Sequence, residues 1–200
     1  MDFQLSEEQN LVRESAISMV ELDIQPILNA HPADRPLPKA AMRELFAITA
    51  RQGLMAPRIP PTEGGVGMKM LDYGLIFECL PAWFAVSIMA HEVTAARIFA
   101  EATAEQRRSF MPGLLSGQNI AGSATSEPGA GSDPRGMTTR VEVDGDSAII
   151  NGRKLWVSNG TVADILAVTC IDGVDAKGRN TLTRVVVEPA VCSVEIRDIE

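Results

Sequence analysis

Ala124-Thr125-Ser126-Glu127-Pro128-Gly129-Ala130-Gly131-Ser132-Asp133 crowds small residues, hydroxyls, a Pro-Gly turn and two acids into one short stretch. A hydrophobic core has little use for such a segment. A site that brings backbone amides and hydroxyls close to a flat polar ligand does. Further along stands a second stretch of like character, Asn151-Gly152-Arg153-Lys154-Leu155-Trp156-Val157-Ser158-Asn159-Gly160. Thr125, Ser126, Ser132 and Ser158 offer hydroxyls, and Trp156 offers a flat wall. Two readings stay open at this level. Either the two stretches form a ligand cradle, or Glu127-Pro128-Gly129 is a polar turn and Trp156 the anchor of a small β core.

Outward from these stretches the chain has two grammars. Up to about Gly117 it reads as helices. Ser6-Glu7-Glu8-Gln9 is a capping box, followed by Leu11, Val12, Ala16, Met19 and Val20 at helical spacing. Pro26 is expected to stop this helix at or before Gln25. A helix is expected from Pro38 to Gln52, with a stripe of Met42, Leu45, Phe46 and Ile48 and with Gly53 as its C′ residue. Between the two lies a proline-punctuated loop, 29–36, that carries a solvated His31. The apolar run 71–100 is broken by Pro81 into two helices. Thr103-Ala104-Glu105-Gln106 caps one more, expected to end at Pro112.

After Gly117 the period becomes two. Val141-Glu142-Val143 and Ala148-Ile149-Ile150 flank Asp144-Gly145-Asp146, a hairpin signal. The runs 165–171 and 184–187 are β-branched, and 172–180 reads as a polar loop. The expected fold class is therefore α+β. An all-α domain (1–117) precedes an antiparallel β-barrel or sandwich domain (118–200).

Composition narrows the partners. The formal net charge is −8 and no Lys/Arg cluster exists beyond Arg107-Arg108, which argues against nucleic acid. No apolar run approaches the about 18 residues of a membrane span, and the acidic, amphipathic start is unlike a signal peptide. Cys79, Cys170 and Cys192 make neither a disulfide framework nor a zinc spacing, which points to buried thiols in a reducing, cytoplasmic setting. His91-Glu92 lacks the second His of a zinc motif and reads as helix packing; no metal site is expected. Gly64-Gly65-Val66-Gly67 lacks the Lys-Ser/Thr of a P-loop. There is no Rossmann fingerprint and no nucleophile elbow.

Taken together, Ser123 to Asp133 and Asn151 to Gly160 resemble the two flavin-contacting signatures of the acyl-CoA dehydrogenases. Leu5 to Gln9, Gly53 to Gly67 and Thr103 to Gly117 are similar to that family's helical half. The resemblance implies an FAD enzyme that oxidises an acyl-CoA thioester to the 2-enoyl-CoA and passes electrons to an electron-transfer flavoprotein or similar acceptor. It implies FAD contacts from Ser123, Thr125, Ser126, Gly131, Ser132, Trp156, Val157 and Ser158, with Ser132 also touching the acyl-CoA. Ser126 and Ser158 stand where Thr is commoner, which keeps the donor and loosens the rotamer. Ser123 stands where several members have an aromatic ring.

The same resemblance implies a C-terminal four-helix bundle that carries the Glu general base and most of a dimer or tetramer interface. Neither Glu92 nor Glu127 matches that base, which is expected beyond Glu200. The 200 residues are therefore expected to be a partial form, inactive alone. The alternative is a non-catalytic flavin- and acyl-CoA-binding subunit that works with a separate partner. Oxidases and reductases of the same architecture stay open. Trp83 and Phe84 could shorten the acyl pocket but read better as core. Lys177 and Arg179 could meet CoA phosphates but read better as solvated loop charges.

Overall fold

The computed structural model describes residues 4–145 and 147–198. Contacts divide the chain into two compact units that meet in sequence between Ile120 and Ala121.

The first unit is helical. Helix α1 (Glu7–Met19) starts on the expected capping box, in which Gln9 N–H donates to Ser6 Oγ and Ser6 N–H donates back to Gln9 Oε1. Its buried stripe is narrower than expected. Ala16 and Met19 are buried, whereas Leu11 is exposed. Pro26 does not end the helical path. A π-helical turn, Val20–Ile24, widens the backbone just ahead of it, and a short helix α2 (Gln25–Asn29) begins with Pro26 in its first turn. There the missing N–H is not needed. His31 is part-buried rather than solvated. Its Nδ1 lies 2.9 Å from the Ile27 carbonyl and closes the end of α2.

Helix α3 (Lys39–Arg51) matches its expected span, with Met42, Leu45, Phe46 and Ile48 all buried and Gly53 left-handed at φ 73°. Helices α4 (Met70–Phe77) and α5 (Ala82–Glu101) flank Pro81, and α6 (Ala104–Leu115) carries the second capping box. Pro112 sits inside α6 instead of ending it. So close to the C-terminus a proline forfeits one helical bond, while Met111 and Leu114 beside it are buried and hold the last turn.

Phe46, Phe84 and His91 form the aromatic centre of this unit. The Phe46 ring meets His91 edge-on at 5.2 Å and Phe84 at 6.0 Å. His91 is wholly buried, and its Nε2 lies 3.1 Å from the Leu114 carbonyl. A carbonyl only accepts, so Nε2 carries the proton. Burial lowers the imidazole from 6.5 to about 4, against the opposing pull of the Leu114 bond. Next to it, buried Glu92 receives both Nε (2.7 Å) and Nη2 (2.9 Å) of Arg58. This bidentate ion pair ties the loop before Gly64 to α5.

The second unit is one five-stranded sheet with mixed strand directions, not a wholly antiparallel one. Strand β4 (Ile165–Val174) is its spine. Strand β1 (Ala121–Ala124) runs parallel to it from Ala121↔Ile165 to Ala124↔Val168. Strands β2 (Arg140–Asp144) and β3 (Ser147–Asn151) form the expected hairpin around Gly145; Asp146 of that turn lies outside the described residues, as do Ile199 and Glu200 at the chain end. The hairpin joins β4 through the single registered pair Arg140↔Ile171. Strand β5 (Asn180–Val187) returns antiparallel along β4.

Only the connections 2–3 and 4–5 are tight turns, which dictate antiparallel pairing. Strand β1 reaches β4 through the long segment that holds the hairpin, so no turn fixes its direction. The continuous burial of 165–171 fits a strand covered on both faces. The polar loop is shorter than expected, because Gly173 and Val174 pair with Thr181 and Asn180 beyond a bulge at Asp172, and Thr181 Oγ1 donates to Asp172 at 2.6 Å.

A Cβ at Gly65 would lie 2.1 Å from the Ile59 carbonyl oxygen. Gly65→Ala is therefore expected to cost about 1–3 kcal/mol or more, read as a lower urea midpoint. His91 stays neutral in the folded state while the unfolded chain takes up a proton below 6.5. Stability should decline as pH falls from 6.5 towards about 4 and then level off. His91→Gln, which can donate but does not titrate, should flatten that decline in urea titrations at successive pH values.

Candidate functional site

Strand β1 feeds directly into the first of the two polar stretches, and the second leaves the end of β3. The fold brings them into contact. Leu155 N–H donates to the Ser126 carbonyl at 2.9 Å. Asn159 Nδ2 donates to the Ala121 carbonyl at 2.9 Å. Gly122 passes so close that a Cβ there would sit 2.7 Å from the Ser158 carbonyl oxygen. Only a residue without a side chain permits that approach.

The deepest link is a buried ion pair. Lys154 Nζ donates to Glu127 Oε1 at 2.9 Å and to the Thr125 carbonyl at 3.1 Å, with Met137 Sδ 3.6 Å away. The two side chains are 9% and 3% exposed, which makes this pair the opposite of a screened surface bridge. The remaining Glu127 lone pairs are taken as well. Thr138 N–H and Oγ1 donate to Oε2 at 2.7 and 2.8 Å, and Thr139 N–H donates to Oε1 at 2.9 Å. Burial by itself would raise this carboxyl. The bonds from Thr139, Lys154 and Thr138 outweigh burial and hold it well below the usual carboxylate range.

The other residues singled out in the sequence fall into two groups. Trp156, Ser126, Ser158, Gly131 and Ser132 are exposed or half-buried. Trp156 is 70% exposed, with its backbone at φ 58°. A bulky residue seldom adopts the left-handed region, and here the ring gains no burial in exchange. Gly131 is open: a Cβ there would meet nothing within 4 Å, so the fold itself does not demand glycine. Thr125 and Val157 face inward. The Thr125 hydroxyl lies 3.0 Å from that of Thr169 on β4. Val157 packs into the cluster of Ala124, Ala163, Leu166, Val168, Cys170 and Val187. Ser123 is half-buried on β1, with its backbone in register opposite Ala167.

Sequence reasoning gave Lys154 and Asn159 no role of their own, and it placed Glu127 in the polar loop and set it aside as the base. An acid in one polar stretch and a cation in the other was the available signal. Lys177 and Arg179 belong to a local turn, in which Asp175 accepts both backbone N–H groups and the Arg179 guanidinium. Among the described residues no group of three or more His, Cys, Asp and Glu is placed to hold a metal ion. No helix among the described residues is long and apolar enough to cross a membrane.

Comparison with known proteins agrees with this architecture. Residues 6–118 match the family model of the acyl-CoA dehydrogenase N-terminal domain, and residues 122–200 match that of the middle domain. A probable acyl-CoA dehydrogenase of Bacillus subtilis, YngJ, is 28% identical over 192 residues, covering 94% of this chain and 49% of its own. The cyclohex-1-ene-1-carbonyl-CoA dehydrogenase of Syntrophus aciditrophicus is 31% identical over 189 residues, covering 92% of this chain and 44% of its own. Among solved structures, glutaryl-CoA dehydrogenase from Mycobacterium smegmatis superposes with a TM-score of 0.80 at 29% identity, over 92% of this chain and 46% of that one. The chain thus spans about half the length of the curated relatives it matches.

The buried pair generates a prediction. Lys154→Met leaves Glu127 charged, buried and short of its cation, and is expected to cost about 3–5 kcal/mol by denaturant titration. The Glu127 carboxyl is lowered on folding from 4.5, so its contribution is complete above that value and is lost as pH falls below it. Glu127→Gln should therefore weaken stability at neutral pH and flatten the acid limb of the stability profile.

Proposed function

The chain belongs to the acyl-CoA dehydrogenase family, and on that premise we propose that its β unit supplies an FAD cradle for the α,β-dehydrogenation of an acyl-CoA thioester. The observation that carries this reading is Trp156, a large ring left 70% exposed on a left-handed backbone that the adjoining loop holds in place. An exposed, anchored ring beside half-buried hydroxyls suits a planar polar heterocycle. The donor set fits. Ser126 and Ser158 can donate to the rim of such a ring, Trp156 can cover a face, and Gly131 leaves room for close approach. Ser132, exposed on the same loop, is positioned in sequence to meet the thioester arm. Ser123, Thr125 and Val157 contribute through backbone and packing.

FAD supplies hydride acceptance from the β-carbon. This chain's residues hold and orient, and neither Glu127 nor Glu92 is placed to remove the α-proton. Glu127 is committed to Lys154 and two threonines, and Glu92 to Arg58. The base belongs elsewhere in the working enzyme, as do the substrate's chain-length limits. An electron-transferring flavoprotein as acceptor, and assembly into a dimer or tetramer, complete the proposal.

The test is a titration of the chain with FAD, followed by flavin fluorescence. Wild-type protein should bind FAD, and Trp156→Ala should weaken binding about tenfold, the value of one lost stacking contact of about 1–1.5 kcal/mol. With an artificial electron acceptor, residues 1–200 alone should show negligible acyl-CoA oxidation. Undiminished binding by Trp156→Ala would remove the ring from the site.

A further inference from the structure

Three consecutive residues of the first loop are fastened to two consecutive residues of the second. Thr125 offers its carbonyl to Lys154 Nζ, Ser126 its carbonyl to Leu155 N–H, and Glu127 its carboxylate to Lys154 Nζ. Ser126 is thereby bracketed on both sides, and Trp156 is the next residue out on the opposite strand of the clamp. Neither Lys154 nor Glu127 is accessible to a ligand, since their side chains are 9% and 3% exposed.

We infer that the Lys154–Glu127 pair is a positioning device: it sets the spacing between Ser126 and Trp156, and so the width of the flavin cradle, without touching the flavin. This inference rests on the reading of that site as an FAD cradle. The physical argument is one of cost and geometry. A buried ion pair stabilises no better than apolar side chains of like volume, so stability alone does not call for it. What it adds is direction. One ammonium reaches a carbonyl and a carboxylate at once, and the carboxylate is fixed in turn by Thr138 and Thr139. An apolar pair could hold the loops together but could not fix their register. The strained φ of 58° at Trp156 requires such over-determination, because the relaxed backbone would turn the ring elsewhere. Groups that hold a ligand-contacting side chain from behind are what keep a site at its working geometry.

The decisive variant is Glu127→Gln/Lys154→Gln in the full chain. It removes both charges together and strands neither, so the fold should survive, as far-UV circular dichroism and the urea midpoint will report. Two readouts then separate positioning from mere support. The first needs no flavin: amide exchange at Leu155, whose N–H bonds Ser126, should accelerate by about tenfold or more in the variant. The second is the FAD titration, in which affinity should fall about tenfold and the visible band of the bound flavin should change shape. Lys154→Arg guards against a variant that does not fold. It keeps the charge, but its longer, planar fork presents donors from a different position than one compact ammonium, so it should shift the loop register and weaken FAD binding while staying folded. A folded double variant, or a folded Lys154→Arg, with wild-type Leu155 exchange and wild-type FAD affinity would overturn the inference. If wild-type chain binds no FAD, the cradle reading fails instead, and the Leu155 exchange still decides whether the pair sets the loop register.

Discussion

A carboxylate buried in protein must be answered on every lone pair, and the β unit is organised around answering Glu127. Lys154 comes from the segment after β3, and Thr138 and Thr139 come from the segment that leads into β2. The acid itself sits just past β1. Three separate stretches of chain therefore converge on one side chain. Hydrophobic burial along 165–171 holds the sheet together, but it is non-directional and tolerates slippage. The charged node is directional. It determines which residues of the two polar loops stand opposite each other.

The helical unit shows the same division of labour. Phe46, Phe84 and the apolar stripe of α3 supply burial, while polar contacts supply register. His91 ties α5 to the end of α6 through the Leu114 carbonyl, and Glu92 ties it to Arg58. Neighbouring residues on one helix thus reach two different segments. Their adjacency in sequence, which looks like an incomplete metal motif, is explained by two unrelated structural bonds.

Signals that act over one or two turns were legible in the sequence. Both capping boxes, the span of α3 with its left-handed Gly53, the break at Pro81 and the hairpin around Gly145 are local and strong. Proline was read too strictly. A π-turn absorbs Pro26, and proximity to the helix end absorbs Pro112. Strand β1, Ala-Gly-Ser-Ala, carries no β-branched residue and gave no strand signal; its place against β4 comes from tertiary pairing alone. Its parallel direction was equally hidden, since no turn encodes it. At the candidate site, composition marked both loops as unusual. The bonds that join them run between residues 27 and 38 positions apart, and no local pattern announces such pairs.

Strands β2 and β3 meet the rest of the sheet through one registered pair, Arg140↔Ile171, and the adjacent bond from Ile171 N–H to the Thr139 carbonyl. Val143 and Ile149 face solvent near the hairpin tip. Val141 and Ile150 pack against the core of Ala124, Leu166 and Val168, so side-chain burial more than backbone pairing holds the hairpin to the sheet. The backbone seam falls at Thr139, next to the carboxylate that Thr138 and Thr139 share. The residue whose carbonyl joins the hairpin to β4 is thus also one whose N–H keeps Glu127 satisfied.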